Sequence, residues 1–164
     1  MPCSLRQGSS GGAASSKNLK CDKCSGCGVK TAPSGTFEES EPGQNYRDNS
    51  NCEWIIAPSD ATSLTLRFDT FNTENGYDKV TVFKCETVKC DMNKVPLLYE
   101  RSGVESGIEL TSETGIMQVL FTSDGSVTRT GFVASWTSKT AVKALVRLRQ
   151  SSRASARRHR SFRV

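Results

Sequence analysis

The chain is predicted to fold as an all-β protein, an antiparallel β-sandwich, and three observations predict it. Apolar and polar residues alternate along several short stretches, turn-forming residues separate those stretches, and no convincing helical period lies between them. A strand exposes successive side chains on opposite faces, so alternation is what a half-buried strand requires.

Taken in order, residues 1–26 hold almost nothing to bury. Gln7-Gly8-Ser9-Ser10-Gly11-Gly12 and the residues after it read as a flexible Gly/Ser linker. Alternation begins with Trp54 and Ile56, ends at Pro58-Ser59-Asp60, and resumes in Leu64, Leu66 and Phe68. Asn75-Gly76 precedes Val80 and Val82, and Ser106-Gly107 precedes Ile108 and Leu110. Glu113-Thr114-Gly115 leads into Met117, Val119 and Phe121, and Asp124-Gly125 separates that stretch from Phe132, Ala134 and Trp136. The sandwich is therefore placed at residues 27–137, roughly 110 residues, enough for a small core that disulfides would assist. After Ser138 the pattern changes. Ala141, Val142, Leu145, Val146 and Leu148 fall at helical spacing among Lys143, Arg147 and Arg149, so residues 138–164 are expected to be a basic tail opening with a short amphipathic helix.

Charge is divided along the chain. The net charge is +5, from 22 basic and 17 acidic residues. Nine of the basic residues lie from Lys139 onward with no acid among them, so residues 1–138 hold 13 basic and 17 acidic residues and carry −4. Reading the whole protein as a nucleic-acid binder would be an error of averaging. The tail carries one aromatic residue, Phe162, so base stacking has little to work with. It does suit an anionic membrane surface.

Seven cysteines (Cys3, Cys21, Cys24, Cys27, Cys52, Cys85 and Cys90) suggest an oxidising compartment, and the protein is expected to be secreted or extracellular. Met1-Pro2-Cys3-Ser4-Leu5-Arg6 has no apolar signal region, so the expectation is a piece of a longer secreted protein or an incomplete start. Cys21-x-x-Cys24-x-x-Cys27 lacks a suitable fourth ligand for tetrahedral zinc, the sole histidine being His159 in the tail. Nothing pairs a nucleophile with a base: Gly8-Ser9-Ser10-Gly11-Gly12 matches Gly-x-Ser-x-Gly without the strand and helix that motif needs. The chain is expected not to be an enzyme.

Two stretches point instead to recognition. Phe71-Asn72-Thr73-Glu74-Asn75-Gly76-Tyr77-Asp78 and Phe121-Thr122-Ser123-Asp124 each begin where an alternating run breaks off, at expected strand ends. Three carboxylates brought together there repel one another and favour a hard cation such as Ca²⁺.

These residues also carry a family resemblance. Cys27, Gly35, Asn45-Tyr46, Asn49-Ser50-Asn51-Cys52-Glu53-Trp54, Leu64-x-Leu66-x-Phe68, Phe71-x-Thr73-Glu74, Tyr77-Asp78-x-Val80-x-Val82, Phe121-x-Ser123-Asp124 and Gly131-Phe132-x-Ala134 occur in an order similar to that of a CUB domain. The resemblance implies a jelly-roll-like extracellular recognition module. It implies a disulfide between Cys27 and Cys52, with Cys24 as the rival partner, worth roughly 3 kcal/mol in the chain-entropy model. Cys85 and Cys90 are expected to close a small loop, a departure from the family's cysteine before Tyr-Asp, where this chain has Gly76. It implies Ca²⁺ held by Glu74, Asp78 and Asp124, with affinity of roughly 10⁻⁴–10⁻³ M for such extracellular modules. It also implies docking of a protein or glycan, a partner lysine entering the acidic cluster. Tyr77 would line that contact, as would Tyr46 unless it is a core residue. The competing reading is an adaptor that binds anionic membrane or nucleic acid through its tail, with the sandwich as scaffold.

Overall fold

The computed structural model describes residues 19–141, and every strand and bond below lies among them. Ten strands are formed: β1 (Cys21–Asp22), β2 (Gly28–Lys30), β3 (Ser34–Glu38), β4 (Asn51–Ile56), β5 (Ala61–Asn72), β6 (Lys79–Lys84), β7 (Leu97–Arg101), β8 (Glu109–Ser112), β9 (Met117–Thr122) and β10 (Gly131–Thr140). One sheet has the order β1-β4-β9-β6-β7, with β2 also on β4; the other has the order β3-β10-β5-β8. All pairings are antiparallel except β2 on β4. The all-β sandwich is as expected, and no helix occurs among the described residues. The helix expected in the tail, and most of the Gly/Ser segment, lie outside those residues.

The alternating residues face one another across the two sheets. Trp54, Ile56, Val80, Val82, Met117, Val119 and Phe121 come from the first sheet, and Leu64, Leu66, Phe68, Phe132, Ala134 and Trp136 from the second. Phe132 lies at the centre, edge-on to Phe37, Trp54, Phe68 and Phe121 with ring centroids 5.4–6.0 Å away. Edge-to-face rings add to the area they bury. Gly35 on β3 is what lets Trp136 lie flat across the sheet, since a methyl group there would fall 2.3 Å from the indole.

Strict alternation fails once in a way that matters. Opposite Val133 and Ala134 of β10 stand Thr70 and Phe68 of β5, which leaves Asp69 as a bulge. The extra residue shifts the facing of everything after it, so Phe71 rather than Thr70 turns into the core. Phe71 then packs edge-on to Phe68 and Tyr99, and the chain leaves β5 aimed at the end of the sandwich where the acids lie.

The amino-terminal border differs from the expected one. The sheet starts at Cys21, ahead of residue 27, and β10 runs to Thr140, past residue 137. With β9 on one side of β4, β1 and β2 share the other edge, β1 antiparallel and β2 parallel, so the chain must reverse between them. The Cys21–Cys27 disulfide closes that reversal. The expected Cys27–Cys52 bond is not formed; Cys52 is bonded to Cys24. The register gives the reason: Gly28 lies opposite Trp54, which carries Cys27 past Cys52 toward Glu53. Cys24 instead turns into the core beside Cys52. Cys85–Cys90 forms as expected, closing the loop after β6.

Because Cys24–Cys52 spans 28 residues and Cys21–Cys27 spans 6, the chain-entropy model gives losses of about 3–4 and about 2 kcal/mol respectively on removing each pair. Urea unfolding of the two double-alanine variants should rank them in that order. A larger loss at Cys21 and Cys27 would contradict the assigned pairing.

Candidate acidic cation site

The ladder registers bring five strand ends to one edge of the sandwich. Thr122 at the end of β9 stands opposite both Asn51 and Lys79, the starts of β4 and β6, and Asn72 at the end of β5 stands opposite Gly131, the start of β10. Glu74 lies two residues beyond β5, Asp78 one before β6, and Asp124 two beyond β9. Topology therefore gathers the three acids, and one oxygen from each lies within 4.8 Å of the others.

Their surroundings differ. Asp78 is fully buried and well partnered: its Oδ2 accepts the Tyr46 hydroxyl at 2.5 Å, and its Oδ1 accepts the backbone N–H of Asp124 at 2.8 Å. Asp124 is exposed, and its Oδ1 accepts the Ser126 N–H at 3.0 Å. Glu74 is half-buried, and its Oε2 is occluded with no hydrogen-bond partner among the described residues. Burial first, then the Asp124 and Asp78 charges, hold its carboxyl above the usual range, against the opposing charge of Arg129.

The hydroxyl of Tyr46 ties the two ends of the loop between β5 and β6 together. It accepts the Glu74 N–H at 2.9 Å while donating to Asp78. Burial and the Asp78 carboxylate push its own ionisation well above the ordinary tyrosine range, so it stays a donor. Its ring stacks edge-on to Phe121 at 5.0 Å, and its N–H bonds the Arg129 carbonyl at 3.1 Å. Tyr46 is 2% exposed. Of the two roles left open for Tyr46, partner contact or core, the core is the one it takes: its ring packs inside and its hydroxyl is spent within the site. Tyr77 is 66% exposed beside the acids and remains free to meet a partner.

Thr73 plays a supporting part that alternation does not foretell. Its hydroxyl donates to the Asp78 carbonyl at 2.8 Å and accepts the Gly103 N–H at 3.0 Å, fixing the loop that carries Glu74 and Asp78. Ser123 does the same for Asp124. Its hydroxyl donates to the Arg47 carbonyl at 2.7 Å and accepts the Ser50 N–H at 2.9 Å. The only advance signal for either was its place within Thr73-Glu74 and Ser123-Asp124.

Three convergent carboxylates, one with an oxygen lacking a donor, form an oxygen donor set that fits a hard divalent cation better than a soft one. Val127, three residues after Asp124, sits at φ 59° and is 45% exposed. A β-branched residue in this left-handed region is strained.

The family model described as CUB domain matches residues 24–136. An astacin-like metalloendopeptidase of Gallus gallus is 30% identical over 125 residues, 72% of this chain and 28% of that protein. The full extracellular region of zebrafish Gpr126/Adgrg6 matches with a TM-score of 0.59 at 26% identity, covering 70% of this chain and 15% of that one. The MASP-1 CUB2 domain bound to Ca²⁺ matches with a TM-score of 0.57 at 24% identity, covering 70% of this chain and 99% of that one. The chain thus spans well under a third of the metalloendopeptidase and of the Gpr126 region.

Tyr46→Phe keeps the ring and removes the joint, leaving the Glu74 N–H and one Asp78 oxygen without their partner. It should cost about 1–3 kcal/mol in denaturant unfolding without added cation; an unchanged midpoint would mean the hydroxyl is dispensable. Val127→Asn should raise the thermal midpoint through relief of about 1 kcal/mol, since asparagine tolerates the left-handed region. A lowered midpoint would show that the valine side chain is needed.

Proposed function

The chain belongs to the CUB domain family, and we propose that it is a calcium-supported module that docks an extracellular partner protein through the acidic end of its sandwich. CUB domains are commonly extracellular, protein-binding and generally non-catalytic. The metalloendopeptidase relative is matched over 28% of its own length, so that protein's peptidase activity does not transfer with the match.

What carries the reading is the convergence of Glu74, Asp78 and Asp124 within 4.8 Å. Asp78, buried and donated to by Tyr46 and the Asp124 N–H, is the fixed member of the set. Glu74 comes from the same loop between β5 and β6, and Asp124 from the loop after β9. A bound Ca²⁺ would offset the repulsion among the three carboxylates and tie their loops together. Exposed Tyr77 supplies an amphipathic surface at the rim, and the net negative charge favours a basic side chain, such as lysine, on the partner. The solved MASP-1 CUB2 domain bound to Ca²⁺ supports an ion in this fold without fixing one here. The extracellular setting is supported by the Gpr126 extracellular region among the similar structures and by three disulfides among the described residues.

Calorimetric titration of the oxidised protein with calcium chloride should give saturable heat that Asp124→Ala abolishes while leaving the domain folded. At an ion concentration roughly 100 times the dissociation constant, wild-type stability should rise by about 2.7 kcal/mol. Equal stabilisation of wild type and variant would defeat the assignment.

A further inference from the structure

Behind the acidic site lies a carboxyl group that the reading above does not use. Glu39, next after β3, is fully buried, and neither of its carboxyl oxygens has a hydrogen-bond partner among the described residues. The hydroxyl of the adjacent Ser40 donates to the Gln44 carbonyl. A carboxylate buried without donors is strongly disfavoured, and the group responds by keeping its proton. Its charged neighbours press the same way. Burial, opposed by the neighbouring Ser40 hydroxyl and reinforced by the charges of Asp78 and Glu38, pushes the Glu39 carboxyl up to about 8.

The packing connects this group to the site. A methyl group on Gly131 would fall 2.1 Å from Glu39 Oε2 and 3.5 Å from the Tyr46 ring. With φ at 71° and no side chain, Gly131 lets the acid and the tyrosine close on one another. Tyr46 in turn joins Glu74 to Asp78. Glu39 therefore reaches the cluster through space and through Tyr46, not through a shared hydrogen bond. Glu39 and Tyr46 both line a cavity of about 830 Å³ whose charged lining also includes Asp22, Lys23, Glu41 and Arg47. The Lys23 ammonium donates to the Asp48 carbonyl, and no ion pair reaches Glu39 among the described residues.

We propose that Glu39 holds a proton that is released to solvent when a divalent cation enters the Glu74–Asp78–Asp124 cluster, so that cation binding at this site is proton-coupled. The inference rests on the cluster being a cation site. The exchange balances simply: the Glu39 O–H bond breaks, its electron pair stays on the carboxylate, and the proton is taken up by water and then by the buffer base. A cation beside Asp78 offsets the charge that disfavours a second anion nearby, which lowers the affinity of Glu39 for its proton. By reciprocity, losing that proton strengthens cation binding. The sign follows from a carboxyl raised on folding. Between its unfolded value of 4.5 and about 8, the folded protein holds a proton that the unfolded chain has lost, so stability falls as pH rises through that window. Cation affinity rises over the upper part of the same window.

The test is calorimetric titration of the full, oxidised chain with calcium chloride just below pH 8, in two buffers of different ionisation enthalpy, for wild type and Glu39→Gln. Wild type should show buffer-dependent heat equal to a fraction of one proton released per ion. Glu39→Gln should still bind but show heats independent of buffer. The same proton count in both proteins, or none in wild type, would overturn the coupling while leaving the cation site intact. No saturable heat in either protein would instead remove the cation site, and the coupling with it. If the glutamine variant does not fold, carboxyl carbon NMR of wild type decides. The Glu39 signal should titrate near 8 and move lower with calcium chloride, and a midpoint in the usual carboxylate range would reject the proposal.

Discussion

The hydrogen bond from Tyr46 to Asp78 is the interaction on which the acidic end of this molecule depends. Asp78 has no exposure to water, and a buried anion persists only when donors replace its hydration. Two donors do so, the Tyr46 hydroxyl and the Asp124 N–H, and each comes from a different part of the chain. Satisfying Asp78 therefore docks the loop before β4 and the loop after β9 onto the loop before β6. The same hydroxyl accepts the Glu74 N–H, so one oxygen sets the positions of two of the three acids. An apolar ring holds that oxygen in place: Tyr46 is fixed against Phe121, which in turn meets Phe132 at the middle of the core. Core packing is thus transmitted to the site through a single side chain.

Away from this edge, the fold manages its open sheet edge at β4 with the amino-terminal segment. β1 and β2 occupy that edge in opposite directions, an arrangement with few hydrogen bonds of its own. Two disulfides compensate by closing the reversal and tying it to Cys52. The outer face of β4 is covered as well: the buried Glu53 carboxylate accepts the Lys20 N–H at 3.1 Å and the Gln118 side-chain amide. The segment is therefore part of the domain, although it offers almost no apolar residues to its core.

How much was legible can be judged residue by residue. Leu64, Leu66 and Phe68 announced their strand because burial on one face demands a period of two. The same logic could not place Phe71, since the bulge at Asp69 is visible only when β10 lies beside β5. Leu97–Arg101 forms an edge strand beside β6 that no alternation betrayed, since an edge strand with mostly exposed side chains need not carry an apolar face. Cys24 and Cys27 stand three residues apart, and their choice of partner turns on strand register, a relation between distant segments. Nothing in Phe37-Glu38-Glu39-Ser40 sets Glu39 apart as a buried acid. It lies against Gly131, which is distant in sequence and also meets the Tyr46 ring, a contact that only the folded chain makes.

By itself the sequence determined the class of fold, the acids at strand ends and the oxidised cysteines, because each depends on local periodicity, turn chemistry or composition. It also determined that Glu74, Asp78 and Asp124 belong together, through the ordered motifs that carry them. Tertiary structure alone decided which cysteine reaches Cys52, that Tyr46 serves the site from within the core, and that Glu39 is shut away from water behind it. Those outcomes depend on which surfaces meet across the sandwich. Local pattern fixes the facing of a side chain within its own strand, but not what that side chain faces.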